Sequence, residues 1–221
     1  KQQGFKTFEQ VGAQFIARLI IGLIEKKTFS SNPAGLYRWI KSRSPEETTL
    51  AKSGNISANE PILLFIHGTG SSTQGSFGAL HSGEAASEWE MLTRTFGERI
   101  FAFEHPTLSV NPINNALMLA KALPDDADLS IVSHSRGGQV ADLLCLKSLS
   151  ADVLDRYNRR NEDFKEADSY DRQQLAELAK VLKNKTFRIR KLIRVASPSQ
   201  GTLLASENLD HFLSIITSLI G

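Results

Sequence analysis

From Phe5 to Ile24 the apolar residues Phe5, Phe8, Val11, Phe15, Ile16, Leu19, Ile20, Leu23 and Ile24 recur at helical spacing. The pattern predicts one amphipathic helix that packs on a sheet or a partner, within an N-terminal unit of helix and linker over 1–34. Asn32-Pro33 punctuates the chain, and Gly35 to Ile40 has the aromatic and branched content of a short strand. Residues 42–60 are polar without clear periodicity and read as a surface loop or a poor hairpin. Four apolar runs follow, at Ile62–Ile66, Ile100–Phe103, Leu129–Ser133 and Leu192–Ala196. The first suits a central strand buried on both faces and stopped by the Gly-rich turn His67-Gly68-Thr69-Gly70. Helical patterns at about 84–96, 112–122 and 138–149 lie between the runs. Strands alternating with helices predict an α/β domain over 35–221, a mostly parallel sheet with helices on both faces.

The segment 151–191 carries 19 charges of mixed sign in 41 positions, with Leu175, Leu178, Val181 and Leu182 at helical spacing. It reads as a charged helical insertion over about 151–186 that covers one edge. A last apolar stripe, Phe212, Leu213, Ile215, Ile216, Leu219 and Ile220, predicts a helix over 208–220.

Composition narrows the class of protein more than it narrows the function. With 221 residues, 41% hydrophobic and 23% charged, the chain has the balance of an ordinary globular domain. The single Cys145 excludes an internal disulfide and a cysteine-based zinc site, and favours a reducing, cytoplasmic setting. The run Leu19–Ile24 falls far short of the roughly 20 residues of a membrane span, and no signal-peptide core is present. A net charge of +2 gives no field that argues for nucleic acid.

The chemistry concentrates in Ser133-His134-Ser135-Arg136-Gly137, where a strand turns into a helix beginning near Gly138. A sharp turn that lifts a nucleophile clear of a sheet tolerates only small residues two positions to either side, and Ser133 and Gly137 are small. The usual first residue is Gly, so Ser133 is a departure. The same pentapeptide is also compatible with a tight turn that has no chemistry. At the end of the first buried strand, the backbone N–H groups of Thr69 or Gly70, together with that of Arg136, are candidates for an oxyanion hole. His67 reads as a structural residue that fixes this loop, and His81, His105, His134 and His211 as surface or packing residues without metal-ligand spacing. Arg136 either pairs with an acid, Asp142 being the candidate, or binds an anionic part of a substrate. Thr73 in place of a third glycine argues against a dinucleotide fingerprint, and no phosphate-binding G-x-x-x-x-G-K loop is present. Neither a cofactor nor a metal is expected.

FIHGTGSS (65–72), VSHSRGGQV (132–140) and VASPSQGT (195–202) together resemble the serine α/β-hydrolases of lipase and esterase type. The linking stretches look closest to a lipase-like domain of large bacterial proteins. The resemblance implies an α/β-hydrolase fold over roughly 35–221, Ser135 as the nucleophile, and a small-molecule or lipid-like ester as substrate. One part of the pattern is missing. In that fold an acid and then a histidine follow the nucleophile on later strands, whereas here only Asp210 and His211 follow, and neighbours on one helix point about 100° apart. The expectation is that the domain as it stands lacks its C-terminal strands, and that the acid, the base and a surface for the 208–220 stripe lie in the remainder of a longer polypeptide. That stripe is equally compatible with packing on this domain's own core. Two functions remain open, a serine hydrolase and a non-catalytic binding or regulatory module; amide or peptide hydrolysis is a further variant of the first.

Overall fold

The computed structural model describes residues 21–23, 25–27, 32–41, 48–52, 56, 60–81, 85–146 and 165–198. Residues 21–23 and 25–27 are helical, which agrees with the end of the expected N-terminal helix. The rest of that helix, segment 147–164 and the expected 208–220 helix lie outside the described residues.

Among the described residues, six strands form one mixed sheet in the order β2-β1-β4-β3-β5-β6. They are β1 (Gly35–Lys41), β2 (Thr48–Lys52), β3 (Ile62–Ile66), β4 (Ile100–Glu104), β5 (Asp128–His134) and β6 (Arg188–Val195). Strands β3 to β6 run parallel, and β1 runs antiparallel to both β2 and β4. The polar stretch after Ile40 is therefore a hairpin, whose second strand carries Thr48, Thr49 and Leu50 opposite Lys41, Ile40 and Trp39. Among the described residues, five helices connect the strands: α1 (Thr73–Phe77), followed by a 3-10 turn at Gly78–His81; α2 (Ala86–Phe96); α3 (Pro112–Ala122); α4 (Gly137–Leu144); and α5 (Lys165–Lys185). The fold is α/β, with helices on both faces of a sheet.

Every residue of β3 and β4 is buried, as continuous apolar runs between two helical layers require. Alternate side chains go to opposite faces. Ile62, Leu64, Ile66, Phe101, Phe103, Leu129 and Ile131 meet α3, α4 and α5 on one face. Leu63, Phe65, Ile100 and Ala102 join Trp39, Phe77 and Trp89 on the other, beneath α1 and α2. Trp39 is the hub of this second layer, with its ring edge-on to those of Phe65, His81 and Trp89 at 4.4–5.0 Å. Helix α3 starts where local chemistry dictates: the Asn111 side chain accepts the Asn114 N–H at 2.9 Å, and Pro112 fills the first turn.

Two expectations need correction. The fourth strand begins at Arg188 rather than Leu192, and most of its residues are exposed. Its sequence RIRKLIRV mixes cations with apolar residues; Ile189 and Leu192 reach the core, while Ile193 and Val195 remain about half exposed. Its basic character is matched at the start of β5, where Asp128 takes a bidentate bond from Arg190 at 2.5–2.6 Å. That bond, more than the partial burial opposing it, holds the Asp128 carboxyl below the usual aspartate range. The charged segment is also more than an edge cover. Helix α5 lies on α3 and buries Leu175, Leu178 and Leu182, so it is a structural layer of the β5-to-β6 connection.

The connections diverge at the centre of the sheet. The chain leaves β3 for α1 and α2 on one face, and leaves β5 for α4 on the other, although β3 and β5 are neighbours. The carboxyl ends of two such strands form the topological switch point at which open α/β sheets bind ligands.

Candidate active site

Both segments singled out in the sequence end at this switch point. Ile66 pairs with Ser133 across β3 and β5, so His67–Gly70 and His134–Arg136 emerge side by side. Ser135 has φ of 51°, the left-handed region that a residue with a β-carbon rarely occupies. Its conformation is enforced from three sides. The Ser135 N–H donates to the Val195 carbonyl of β6 at 2.9 Å, and the Ser135 carbonyl accepts from Gly138 N–H at 3.0 Å as α4 begins. The backbone of the loop after β3 lies against the serine itself, since a β-carbon on Gly68 would stand 2.7 Å from the Ser135 Cβ.

The small residues of the pentapeptide have distinct physical reasons. A β-carbon on Gly137 would fall 2.4 Å from the Ile66 carbonyl oxygen and 2.5 Å from that of His67, both backbone atoms with no freedom to retreat. Ser133 is fully buried, and its hydroxyl donates to the Ile193 carbonyl at 3.4 Å, which accommodates the extra hydroxymethyl where glycine is usual. Helix α4 then runs from Gly137, directing its N-terminal dipole toward the turn.

Of the two candidate amides on the first loop, the structure separates Thr69 from Gly70. Gly70 N–H donates to Thr107 Oγ1 at 2.8 Å, so of the two alternatives this amide already has an acceptor. The amides of Thr69 and Arg136 have no acceptor among the described residues and remain available.

Beneath the loop lies a buried polar cluster that sequence reasoning only partly found. His67 Nδ1–H donates to the Gly68 carbonyl at 3.1 Å, while Nε2 accepts the His105 N–H at 3.2 Å. These two bonds require a neutral ring with its proton on Nδ1. Burial lowers the His67 pKa, with the Glu104 carboxylate 3.7 Å away working in the opposite direction. His105 stacks between Phe103 and His67 at 4.8 and 4.2 Å, and burial drives its pKa well below the ordinary histidine range. Glu104, also buried, accepts the Thr73 N–H at 2.9 Å and so ties the far end of the loop to β4. His67 is thus structural, as expected, but Glu104, Thr107 and Asn115 were not foreseen. Asn115 donates to the Pro106 carbonyl at 2.7 Å and holds the loop after β4 from below. The signal for Glu104 was a charge ending an apolar strand.

The remaining histidines are occupied elsewhere. His134 Nδ1 pairs with Ser76 Oγ at 3.3 Å, and His81 packs between Trp39 and Trp89. Among the described residues no histidine bonds Ser135, and His211 and Asp210 lie outside them. Asp142, the expected partner of Arg136, is bound instead by Arg194 through both carboxylate oxygens at 3.0 Å. The expected acid position after β6 holds Ser197, which packs on Gly138. No group of three potential metal ligands occurs among the described residues, and no described helix is long and apolar enough to cross a membrane.

No curated protein and no solved structure matches the chain. A family model for a domain of unknown function, DUF7379, matches residues 32–158, which takes in β1 to β5, the whole Ser135 turn and α4. This is more than half of the 221 residues, and the chain belongs to the DUF7379 family.

Proposed function

We propose that the protein is a serine hydrolase of α/β-hydrolase type, acting on carboxylic esters through an acyl-enzyme at Ser135. The observation that carries this reading is the left-handed Ser135 at the β5-to-α4 turn, pressed against the loop after β3. A non-glycine residue is held in that conformation when the surrounding structure over-determines it, and such strain concentrates at functional sites. In this reading the Ser135 Oγ attacks the ester carbonyl carbon, and the resulting oxyanion accepts from the N–H groups of Thr69 and Arg136. Collapse of the tetrahedral species expels the alcohol and leaves the acyl-enzyme, which water then hydrolyses. Neither a metal nor an organic cofactor enters the scheme.

The serine proton must pass to a base. The resemblance to lipases and esterases gives this role to a histidine oriented by an acid, and both fall outside the described residues, in this chain or in a longer one. That no described histidine is hydrogen-bonded to Ser135 is what supports the second reading, a module that keeps the turn for binding or regulation. The two differ in one experiment. Ser135→Ala should lower hydrolysis of short 4-nitrophenyl esters by a factor on the order of 10⁴ or more. Ester hydrolysis that survives the substitution would remove Ser135 from the mechanism, and a folded wild type without any activity would favour the binding module.

A further inference from the structure

Arg136 follows the candidate nucleophile directly, and its amide is one of the two available oxyanion donors. Its side chain is partly withdrawn from water, yet it has no hydrogen-bonded or ion-paired acid among the described residues. Among the described residues, each candidate acid is bound by something else. Asp142 is bound by Arg194. Glu25, on the N-terminal helical segment, accepts from the Leu108 N–H at 2.9 Å, the Ser109 N–H at 3.1 Å and the Ser109 hydroxyl. Glu104 is buried behind His67 and holds the Thr73 N–H. His105, whose ring is buried and held neutral, supplies no counter-charge. Burial lowers the Arg136 pKa, and the Glu25 charge offsets this only in part. A guanidinium does not lose its proton in a protein, so the desolvated cation persists and gains most from an anion that arrives with the ligand.

We infer that Arg136 makes this site selective for anionic esters, in which a carboxylate-type group lies close enough to the scissile carbonyl to pair with the guanidinium while the carbonyl oxygen faces the Thr69 and Arg136 amides. The inference rests on the hydrolase reading for its chemistry, but not for the binding of the anion. Arginine suits the role because its planar fork meets a carboxylate with two parallel hydrogen bonds.

The test uses two matched pairs of esters on the full chain. In one pair, 4-nitrophenyl butyrate and mono-4-nitrophenyl succinate, the charge sits on the acyl part; in the other, phenyl acetate and 4-acetoxybenzoate, it sits on the leaving group. The wild type should prefer the charged member of at least one pair in kcat/KM. Arg136→Gln should reduce that preference at least ten-fold, and Arg136→Lys should restore part of it. A wild type that favours neither charged ester, or a preference that survives Arg136→Gln, overturns the inference while leaving the hydrolase reading intact. If no ester is hydrolysed, the hydrolase reading fails and binding decides the anion site. Saturation-transfer NMR should then show contact between monoethyl succinate and the wild type that Arg136→Gln abolishes; contact that is absent or unchanged overturns it.

Discussion

At the scale of single residues, the site is a conflict between a side chain and its backbone. Ser135 occupies the left-handed region, which costs a residue with a β-carbon roughly 1–2 kcal/mol. The neighbouring glycines show why the turn cannot relax: Gly68 and Gly137 let the backbone of the β3 loop come so near that a β-carbon on either would collide with it or with Ser135. Glycine at 135 would keep the turn and remove the conflict. Ser135→Gly is therefore expected to raise the thermal midpoint by a few degrees, corresponding to roughly 1 kcal/mol, while eliminating activity. A thermal scan of the two proteins checks this, and a lower midpoint for the glycine variant would mean that the hydroxymethyl stabilises the fold. The tightness of the turn was legible from the pentapeptide, because small residues on both sides of a serine after a buried strand suit a sharp turn, although that pattern alone left its chemistry open. The engagement of Gly70 with Thr107 was not legible, since it joins residues 37 apart in the chain through a loop without periodicity.

At the scale of elements, the apolar runs located the central strands because a strand buried on both faces leaves no polar position to confuse the pattern. Helices 86–96 and 112–122 likewise fall within two residues of their expected bounds. The hairpin strand β2 and the start of β6 were blurred by the polar and basic residues that edge strands carry, where burial on one face only weakens the signal. The ends of β3 and β4 are fastened by the neutral pair His67 and His105, and this has a pH signature. Both rings resist protonation in the folded state, whereas in the unfolded chain they take up protons near pH 6.5. The unfolded state binds more protons below that pH, so stability falls as pH falls from about 7 to 5. Each ring that stays neutral contributes a slope of up to about 1.4 kcal/mol per pH unit. His105→Phe preserves the stacking on Phe103 and should flatten the decline of the thermal midpoint between pH 7 and 5. An unchanged slope would show that other groups carry it.

At the scale of the whole molecule, the site is assembled from segments far apart in sequence. The Ser135 turn comes from β5, its facing loop from β3, and the flanking loop after β4 is tied down by Glu25 across more than 80 positions. The sheet order brings these together, and the alternation of strand and helix already implied it in outline. Pairings between distant surface residues, such as Arg194 with Asp142 and Glu25 with Ser109, escape sequence reasoning because no period links their partners. They nevertheless decide which charges remain free at the switch point, and so what Arg136 can do. The most direct test of the whole account is covalent. The folded protein, in its longest natural chain, should be treated with a fluorophosphonate, digested and mapped by mass spectrometry. The account predicts a stoichiometric adduct on Ser135, absent in Ser135→Ala. A label on another serine, or none on a protein that is demonstrably folded, would contradict it.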